Sequence, residues 1–572
     1  LDALWFLADR GLGRLGYPAQ YGGDGDLSAA VAVFETLAFG DLSVVVKFGV
    51  QFGLFGGSVL QLGTARHHEA YLRAIGSLEL PGCYAMTETG HGSNVRDLET
   101  TATYDALTQE LVVHTPHARA AKDYIGNAAA HGLIATVFAR VIVAEEDHGV
   151  HAILVPIRDE RRRVLPGIRI EDCGLKVGLN GVDNGRVSFD RVRVPRTNLL
   201  DRFATIDEQG RYLSDIPSSG RRFFRMLRTL VVGRVSIAAA SVSAAKVGLT
   251  IAVRYAATRR QFGPEGATEV PILDYPLIQR ELMPRLATTL GLHFAVRRIE
   301  AQLADREHAD SPELEVEAAG LKAYASEHCV STLQAAREAC GGAGYLAENR
   351  FAALKADTDV FTTFEGANLV LYQLVAKGLL SNFRDEMGDL TLKSAVRYLA
   401  ERAETALTEL NPLVTRRTDE GHLLDPDFQR AALSYREERL LRSAATRIRA
   451  RLDDGVDSFE AVMECQDHLV SLARAHVERV VLEGLQEAVV RAPTPGLSEV
   501  LAAAAALYAL SALERDRGWF LESGYLEAAK ARAIRTRVGA LCSEVREHAA
   551  LLVEGFGIPD ALLPEIARSG LQ

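Results

Sequence analysis

The spacing of apolar residues changes period twice along the chain, and those changes divide it. In residues 1–81, Leu4, Leu7, Ala8, Leu12 and Leu15 recur at helical spacing before a break at Gly22-Gly23, and 34–39 and 65–75 continue the pattern. This predicts an N-terminal helical layer. The chain opens at Leu1 without Met and already in helical spacing, so further residues are expected upstream. Between 82 and 205 the apolar runs become short or alternating, as at Leu111-Val112-Val113, 133–138, 141–143 and 152–157, with Gly, Asp and Pro between them. That is the pattern of a β-domain. From 215 to 382 the period returns to that of a helix. A run over 230–255 carries the small residues Gly233, Ala238, Ala239 and Ala240, which allow close helix contact, and further helices are expected over 278–304, 314–340 and 364–380. Together they suffice for a four-helix bundle. A second long helical region occupies 383–572, with Asp425-Pro426 as N-cap and first helical residue and Pro493-Thr494-Pro495-Gly496 as a break between helices. The expected fold class is α+β, with domains at 1–81, 82–205, 215–382 and 383–572.

Composition narrows the partners. The chain has 572 residues, 48% of them apolar, enough for several buried cores. Its 64 Lys and Arg stand against 75 Asp and Glu, a formal charge of −11, which argues against a general nucleic-acid binder while leaving room for a local basic patch on a phosphorylated ligand. The six cysteines are scattered singly, with no CxxC pair and no metal-ligand spacing, so no metal is expected and the thiols read as reduced core residues of an intracellular protein. The Ala-rich run 501–513 is too short to cross a bilayer, and 230–253 is interrupted by Arg234 and Lys246, so no membrane span is expected. The C-terminal Ser569-Gly570-Leu571-Gln572 is not an SKL-type peroxisomal address, and a cytoplasmic location is the expectation.

Candidate chemistry concentrates in 340–372. Gly341, Gly342 and Gly344 form a turn whose backbone can approach something flat, or simply turn tightly. Phe364-Glu365-Gly366 follows and sets one acid among aromatic and aliphatic neighbours, where desolvation favours the protonated form and makes a usable base. Three further stretches stand out. The β-domain opens on Thr87-Glu88-Thr89-Gly90-His91-Gly92-Ser93-Asn94, whose hydroxyls at Thr87 and Ser93 around a Gly-rich bend suit a polar planar ring and a phosphate. Lys122-Asp123-Tyr124-Ile125-Gly126-Asn127 is a second polar loop. Tyr255-Ala256-Ala257-Thr258-Arg259-Arg260-Gln261-Phe262-Gly263 ends the long helix, and the Arg259 guanidinium suits a pyrophosphate through paired hydrogen bonds. Arg234, inside the apolar run, needs either a salt-bridge partner or a ligand.

These motifs, in this order over residues 1–380, resemble the acyl-CoA dehydrogenase and acyl-CoA oxidase superfamily, closest to its oxidase branch. The resemblance implies an N-terminal helical domain, a β-barrel-like middle domain, a helical bundle and, as in the oxidases, a C-terminal helical domain. It implies FAD as cofactor and Glu365, after the GGxGY-type turn, as the base that takes the α-proton of an acyl-CoA. It places Thr87, Gly92, Ser93, Tyr124, Gly126, Gly341 and Gly342 at the flavin, and Arg259, Gln261 and Phe262 at the flavin nucleotide of a neighbouring subunit, hence a homodimer at least. Ser93, Arg234, Phe364 and Gly366 fall at the substrate. Tyr124 stands where dehydrogenases have Trp, and Gly126 where they have Thr. The oxidases also have Gly there, and the missing side chain either opens space for dioxygen or is an ordinary turn glycine. Three readings follow: an oxidase giving trans-2-enoyl-CoA and H2O2 in fatty acid β-oxidation, a dehydrogenase passing electrons to an electron-transfer flavoprotein, and a catalytically silent acyl-CoA-binding protein. Glu338, Ala367 and Leu369 depart from the dehydrogenase pattern around the base.

Overall fold

The computed structural model describes residues 1–227, 230–304, 311–388 and 416–568. The expected start of the C-terminal domain therefore falls partly, and the tetrapeptide 569–572 wholly, outside the described residues. Two compact units emerge. The first joins Leu1–Ala240 to Glu300–Asp310 and Phe364–Gly366, and the second comprises Ser241–Ile299, Ser311–Thr363 and Ala367–Gln572.

In the first unit, helices Leu27–Leu37 and Leu42–Phe48 start where the side chains of Asp26 and Asp41 accept hydrogen bonds from the backbone N–H of Ala29 (2.8 Å) and Val44 (3.0 Å). Each cap satisfies an N–H that the helix itself leaves open. The second helix continues through a π-helical segment, Gly49–Phe55, into Gly56–Leu62. The strands follow: β1 (Gly82–Ala85), β2 (Thr101–Asp105), β3 (Glu110–His114), β4 (Lys122–Ile125), β5 (Ile134–Val143), β6 (Glu146–Pro156), β7 (Ile168–Asp172), β8 (Gly185–Phe189) and β9 (Val192–Pro195). One edge of β5 pairs in parallel with β1 (Gly82 opposite Ile134) and then with β2 (Thr101 opposite Arg140), while β6 pairs antiparallel to β5. β3 and β9 complete this sheet, and β4, β8 and β7 form a second one. Both sheets contribute to one core, in which Val137, Val141 and Ile153 meet Ile125, Val187 and Phe189. Alternation along the strands places these side chains inward. The N-terminal helices share another core with the outer face of the sheet, through Tyr17, Phe55, Leu62 and Ile75 against Phe138 and Leu154.

The second unit is helical. α1 (Leu230–Thr258, its first turns through Ala240 lying in the first unit), α2 (Pro276–Ala304, its last residues from Glu300 lying in the first unit), α3 (Pro312–Ala339) and α4 (Asn368–Gly388) are linked in series, within the second unit, by buried or half-buried polar contacts. Lys246 Nζ lies 3.1 Å from His293 Nδ1, Thr289 Oγ1 lies 2.8 Å from His328 Nε2, and Lys322 Nζ donates to Asn368 Oδ1 at 3.1 Å. α5 (Pro426–Asp453), α6 (Gln466–Val490), α7 (Pro495–Arg515) and α8 (Ala528–Glu547) follow. Asp425 caps α5 with Pro426 in its first turn, and Thr494 caps α7 ahead of Pro495. A core of Leu371, Tyr372 and Val375 with Leu440, Leu469 and Leu472 joins α4 to α5 and α6.

Among the described residues, Leu42–Leu62, Ser219–Thr258 and Pro495–Arg515 are long and apolar enough to cross a membrane by length and composition. The expectation that 501–513 is too short fails because the helix extends to both sides, giving 21 residues. Within the most apolar window of each stretch, 72%, 100% and 67% of the residues are buried inside the protein. A helix that is apolar on every side is what the interior of a large helical core requires.

Candidate active site

The loop after β1 is held from beneath by a buried ion pair. Glu88, 1% exposed, accepts hydrogen bonds from the backbone N–H of Glu99 (2.8 Å) and Thr100 (2.9 Å) and pairs with Lys122 Nζ at 2.9 Å. Lys122 also donates to Met86 O at 3.1 Å. Burial pulls the Lys122 ammonium down to about 8, against the attraction of Glu88. Burial likewise raises Glu88, but the Lys122 charge and the two backbone N–H groups outweigh it and leave the carboxyl below its ordinary value. Above this anchor the chain folds back tightly. Glu88 N–H donates to His91 O and His91 N–H to Glu88 O, at 3.2 and 3.0 Å, and Thr87 O accepts from Asp123 N at 3.0 Å. Thr87 is half-buried, whereas Gly92 and Ser93 are exposed. No heavy atom lies within 4 Å of where a Gly92 Cβ would stand, so the backbone there is open to a ligand.

Tyr124 sits in an irregularity of β4, whose pairing with β8 shifts register between Lys122 and Ile125. Its φ is 64°, and its side chain is 65% exposed. Bulges of this kind re-aim a side chain that a regular strand would turn elsewhere. Asp123 fixes the bend: its buried carboxylate accepts from the Tyr124 N–H (3.0 Å), the Thr89 hydroxyl (2.9 Å) and Arg186 Nε (3.0 Å). Asn184 Nδ2 donates to Tyr124 O at 2.9 Å.

Gly126, open to two readings from the sequence, stands beside Val50. A Cβ at this position would lie 2.8 Å from Cγ2 and 3.2 Å from Cγ1 of Val50, which comes from the π-helical segment. The space that the missing side chain leaves is filled by Val50. Gly126 is therefore packed closely against Val50.

Residues 364–366 belong to the first unit although they are flanked by the second. Glu365 has φ 55° and Gly366 φ 97°, so the base candidate occupies the left-handed region that non-glycine residues seldom enter. Phe364, Glu365 and Gly366 are each half-buried, and Glu365 Oε2 is withdrawn from solvent. The carboxylate rests against α1 at Gly233, where a Cβ would lie 3.0 Å from Oε2, 3.3 Å from Cδ and 3.5 Å from Oε1. The neighbouring Arg234 is buried, at 7% exposure.

The structure thus gathers Thr87, Gly92, Ser93, Tyr124, Gly126, Arg234, Phe364, Glu365 and Gly366 into the first unit, and Arg259, Gln261, Phe262, Gly341 and Gly342 into the second. In the second unit Arg259 is exposed and Phe262 is 83% exposed. With the Gln261 amide oriented to accept, its oxygen takes hydrogen bonds from Arg259 at 3.0 and 3.2 Å. Gly341, with φ 53°, and Gly342 are exposed, and neither has an atom within 4 Å of the position of a Cβ. Within the first unit, the open backbone at Gly92 and the turned-out Tyr124 suit a flat ring, and within the second, the exposed Arg259 guanidinium suits a phosphate. Among the described residues no cluster of three or more His, Cys, Asp or Glu is placed to hold a metal. Sequence reasoning passed over the Glu88–Lys122 pair and Val50, and read Gly233 only as a helix-packing residue.

Comparison with known proteins identifies the family. Models of the acyl-CoA dehydrogenase N-terminal domain and middle domain match residues 3–79 and 83–192, and models of the acyl-CoA oxidase C-alpha1 domain and of acyl-CoA oxidase match 227–380 and 425–564. Acyl-coenzyme A oxidase 2, peroxisomal, of Arabidopsis thaliana is 43% identical over 95% of this chain and 80% of its own length. The crystal structure of acyl-CoA oxidase 1 from Yarrowia lipolytica superposes with a TM-score of 0.85 at 29% identity, covering 94% of this chain and 80% of that one. A Caenorhabditis elegans acyl-CoA oxidase-2 structure, bound with FAD, ascaroside-CoA and ATP, gives a TM-score of 0.79 at 26% identity over 91% of this chain and 77% of that one.

Proposed function

The chain belongs to the acyl-CoA oxidase family, and from that membership we propose that Glu365 is the base that removes the α-proton of a fatty acyl-CoA. The family is one of FAD-dependent oxidoreductases of fatty acid β-oxidation. The observation that carries the assignment is the carboxylate itself: a single acid on a left-handed backbone, with Oε2 out of solvent and seated on the bare face of α1 at Gly233. A thioester carbonyl acidifies the adjacent C–H, and a carboxylate withdrawn from water is a stronger base toward it than one in bulk solvent. The chemistry that bound FAD supplies is acceptance of the β-hydride and delivery of the electrons to dioxygen, giving trans-2-enoyl-CoA and H2O2.

We assign the remaining residues as follows. The Thr87 and Ser93 hydroxyls, beside the open backbone at Gly92, hydrogen-bond the flavin, and Ser93 also meets the CoA ester. Tyr124, turned out by the β4 irregularity, lies along the ring system. The Glu365 backbone N–H faces the thioester oxygen and stabilises the enolate-like charge as the proton leaves. Phe364, Gly366 and Arg234 line the substrate. Arg259, Gln261 and Phe262, with Gly341 and Gly342, hold the flavin nucleotide. An 83%-exposed Phe262 beside an exposed Arg259 supports their facing a neighbouring subunit, and so a homodimer. The Arabidopsis relative is peroxisomal by name, so a peroxide-handling compartment replaces the cytoplasm as the proposed location. With the Gly126 space filled, the preference for oxidase over electron transfer to a flavoprotein rests on the family match.

The test is anaerobic reduction of the flavin by a series of acyl-CoAs, followed by admission of air. Wild type is expected to bleach and then to consume dioxygen with formation of one equivalent of H2O2. Glu365→Gln is expected to keep its flavin and to bleach about 10²–10⁴-fold more slowly. Equal bleaching by the two proteins sinks the assignment of the base. Slow reoxidation by air, with fast reoxidation by an electron-transfer flavoprotein, makes the chain a dehydrogenase.

A further inference from the structure

We infer that Gly233 is a positioning residue for the reaction, the seat that fixes where the Glu365 carboxylate points; the inference rests on Glu365 being the base. The three nearest atoms to an added Cβ at Gly233 are all in one functional group: Oε2 at 3.0 Å, Cδ at 3.3 Å and Oε1 at 3.5 Å of Glu365. No core side chain and no backbone atom is nearer. A contact of 3.0 Å is closer than a methyl group and a carboxylate oxygen tolerate, so one of the two must yield by several tenths of an ångström. The helix cannot yield cheaply, because α1 is continuous through this position from Leu230 to Thr258. Nor can the Glu365 backbone, which is held with φ 55° beside Gly366 at φ 97°. What can yield is the end of the Glu365 side chain, by rotation about its own bonds.

This separates folding from chemistry at one position. Alanine at 233 is compatible with the fold, since the atoms nearest its Cβ belong to the end of one side chain and alanine is the better helix former. The carboxylate, however, must leave its place, and a base displaced by a fraction of an ångström loses alignment with the C–H bond it attacks. Glycine at 233 is thus explained by the position of the base. Close packing between helices, the usual reason for a glycine in a helix, is met elsewhere on α1: at Gly248, where a Cβ would lie 2.5 Å from Leu333 Cδ2, the conflict is with a core side chain.

The experiment compares wild type, Gly233→Ala, Glu365→Asp, the double variant Gly233→Ala/Glu365→Asp, and Glu365→Gln, all as flavin-loaded protein. The readout is exchange of the α-protons of an acyl-CoA analogue that cannot be oxidised at Cβ, followed by NMR in D2O under anaerobic conditions, so that proton removal is seen without electron transfer. Gly233→Ala is expected to bind the analogue within about twofold of wild type and to exchange its α-protons about tenfold or more slowly, with a displaced pH profile. Because aspartate is shorter by one methylene, shortening the acid relieves the conflict, and the double variant is expected to lose less than the product of the two single losses. Exchange by Gly233→Ala within twofold of wild type, or losses that multiply, overturns the inference. If Gly233→Ala yields no flavin-loaded protein, the double variant decides. Recovery by the shorter acid places the conflict at the carboxylate, and no recovery overturns it. Undiminished exchange in Glu365→Gln instead removes the base assignment on which the inference stands, an outcome distinct from the others.

Discussion

Gly126→Ala tests whether the residue is packed or faces open space. The added methyl would stand 2.8 Å from Val50 Cγ2 and 3.2 Å from Cγ1, and Gly126 is itself buried. Overpacking a filled site costs about 1–3 kcal/mol. Val50→Ala alone removes two methyl groups from a side chain that is 9% exposed, a loss of about 2 kcal/mol by transfer bookkeeping. If the two side chains compete for one volume, the double variant Val50→Ala/Gly126→Ala costs clearly less than the sum, because the alanine methyl takes up space that Val50 vacates. The assay is urea unfolding of the flavin-loaded protein, followed by flavin release and by far-ultraviolet circular dichroism, with the reoxidation rate by dioxygen measured on the folded fraction of each variant. We expect loss of stability in each single variant, compensation in the double and reoxidation within about twofold of wild type throughout, since the methyl points at Val50. A fully stable Gly126→Ala with slowed reoxidation would refute the packing argument and restore an open dioxygen path.

The other predictions concern the supports of the site. Lys122→Met strands the buried Glu88 carboxylate and is expected to cost about 3–5 kcal/mol, with loss of flavin as the Thr87–Ser93 loop loosens; retention of flavin and midpoint together would show the pair to be dispensable. His151, 2% exposed and hydrogen-bonding Tyr212 at 2.8 Å, is driven by burial down to about 4 from an ordinary 6.5. Its folded form binds the proton less readily than its unfolded form, so its contribution is fully present above pH 6.5 and is lost as pH falls toward 4. The loss is about 3 kcal/mol in all, and between pH 7 and pH 4 the unfolding stability of wild type should fall by about that much more than that of His151→Gln.

Much of the fold could be read from period alone, because each switch between helical and alternating spacing marks a change in what the chain must bury. The helix starts at Asp425-Pro426 and Thr494-Pro495 were legible because caps act locally. Length was harder: 501–513 looked too short for a long apolar helix because its flanks are polar, yet the helix extends over Pro495–Arg515. The site was legible as motifs and not as contacts. Nothing near Gly126 in sequence signals Val50, which arrives from 76 positions away by tertiary packing. Nothing near Glu365 signals Gly233, for the same reason. A glycine in a helix reads as helix packing until its neighbour is known, and here the neighbour is a carboxylate.

The two residues we place nearest the chemistry within the first unit, Tyr124 and Glu365, both have left-handed backbones, φ 64° and 55°. Each such residue costs about 1–3 kcal/mol and persists only where its surroundings over-determine it. At Tyr124 the surroundings are visible: the Asp123 carboxylate binds the strained N–H, Asn184 binds the strained carbonyl, and Arg186 and Thr89 hold Asp123 in turn. At the start of the same strand, the Glu88–Lys122 pair ties this segment to the loop that carries Thr87 and Ser93. The buried charges of this unit therefore serve the site through the backbone. They hold Tyr124 in a conformation it would not choose and anchor the Thr87–Ser93 loop beside it, so that a rigid surface is ready before any ligand arrives. It follows that substitutions in this network should lower flavin affinity before they alter the rate constant for α-proton removal, whereas substitutions at Gly233 should do the reverse.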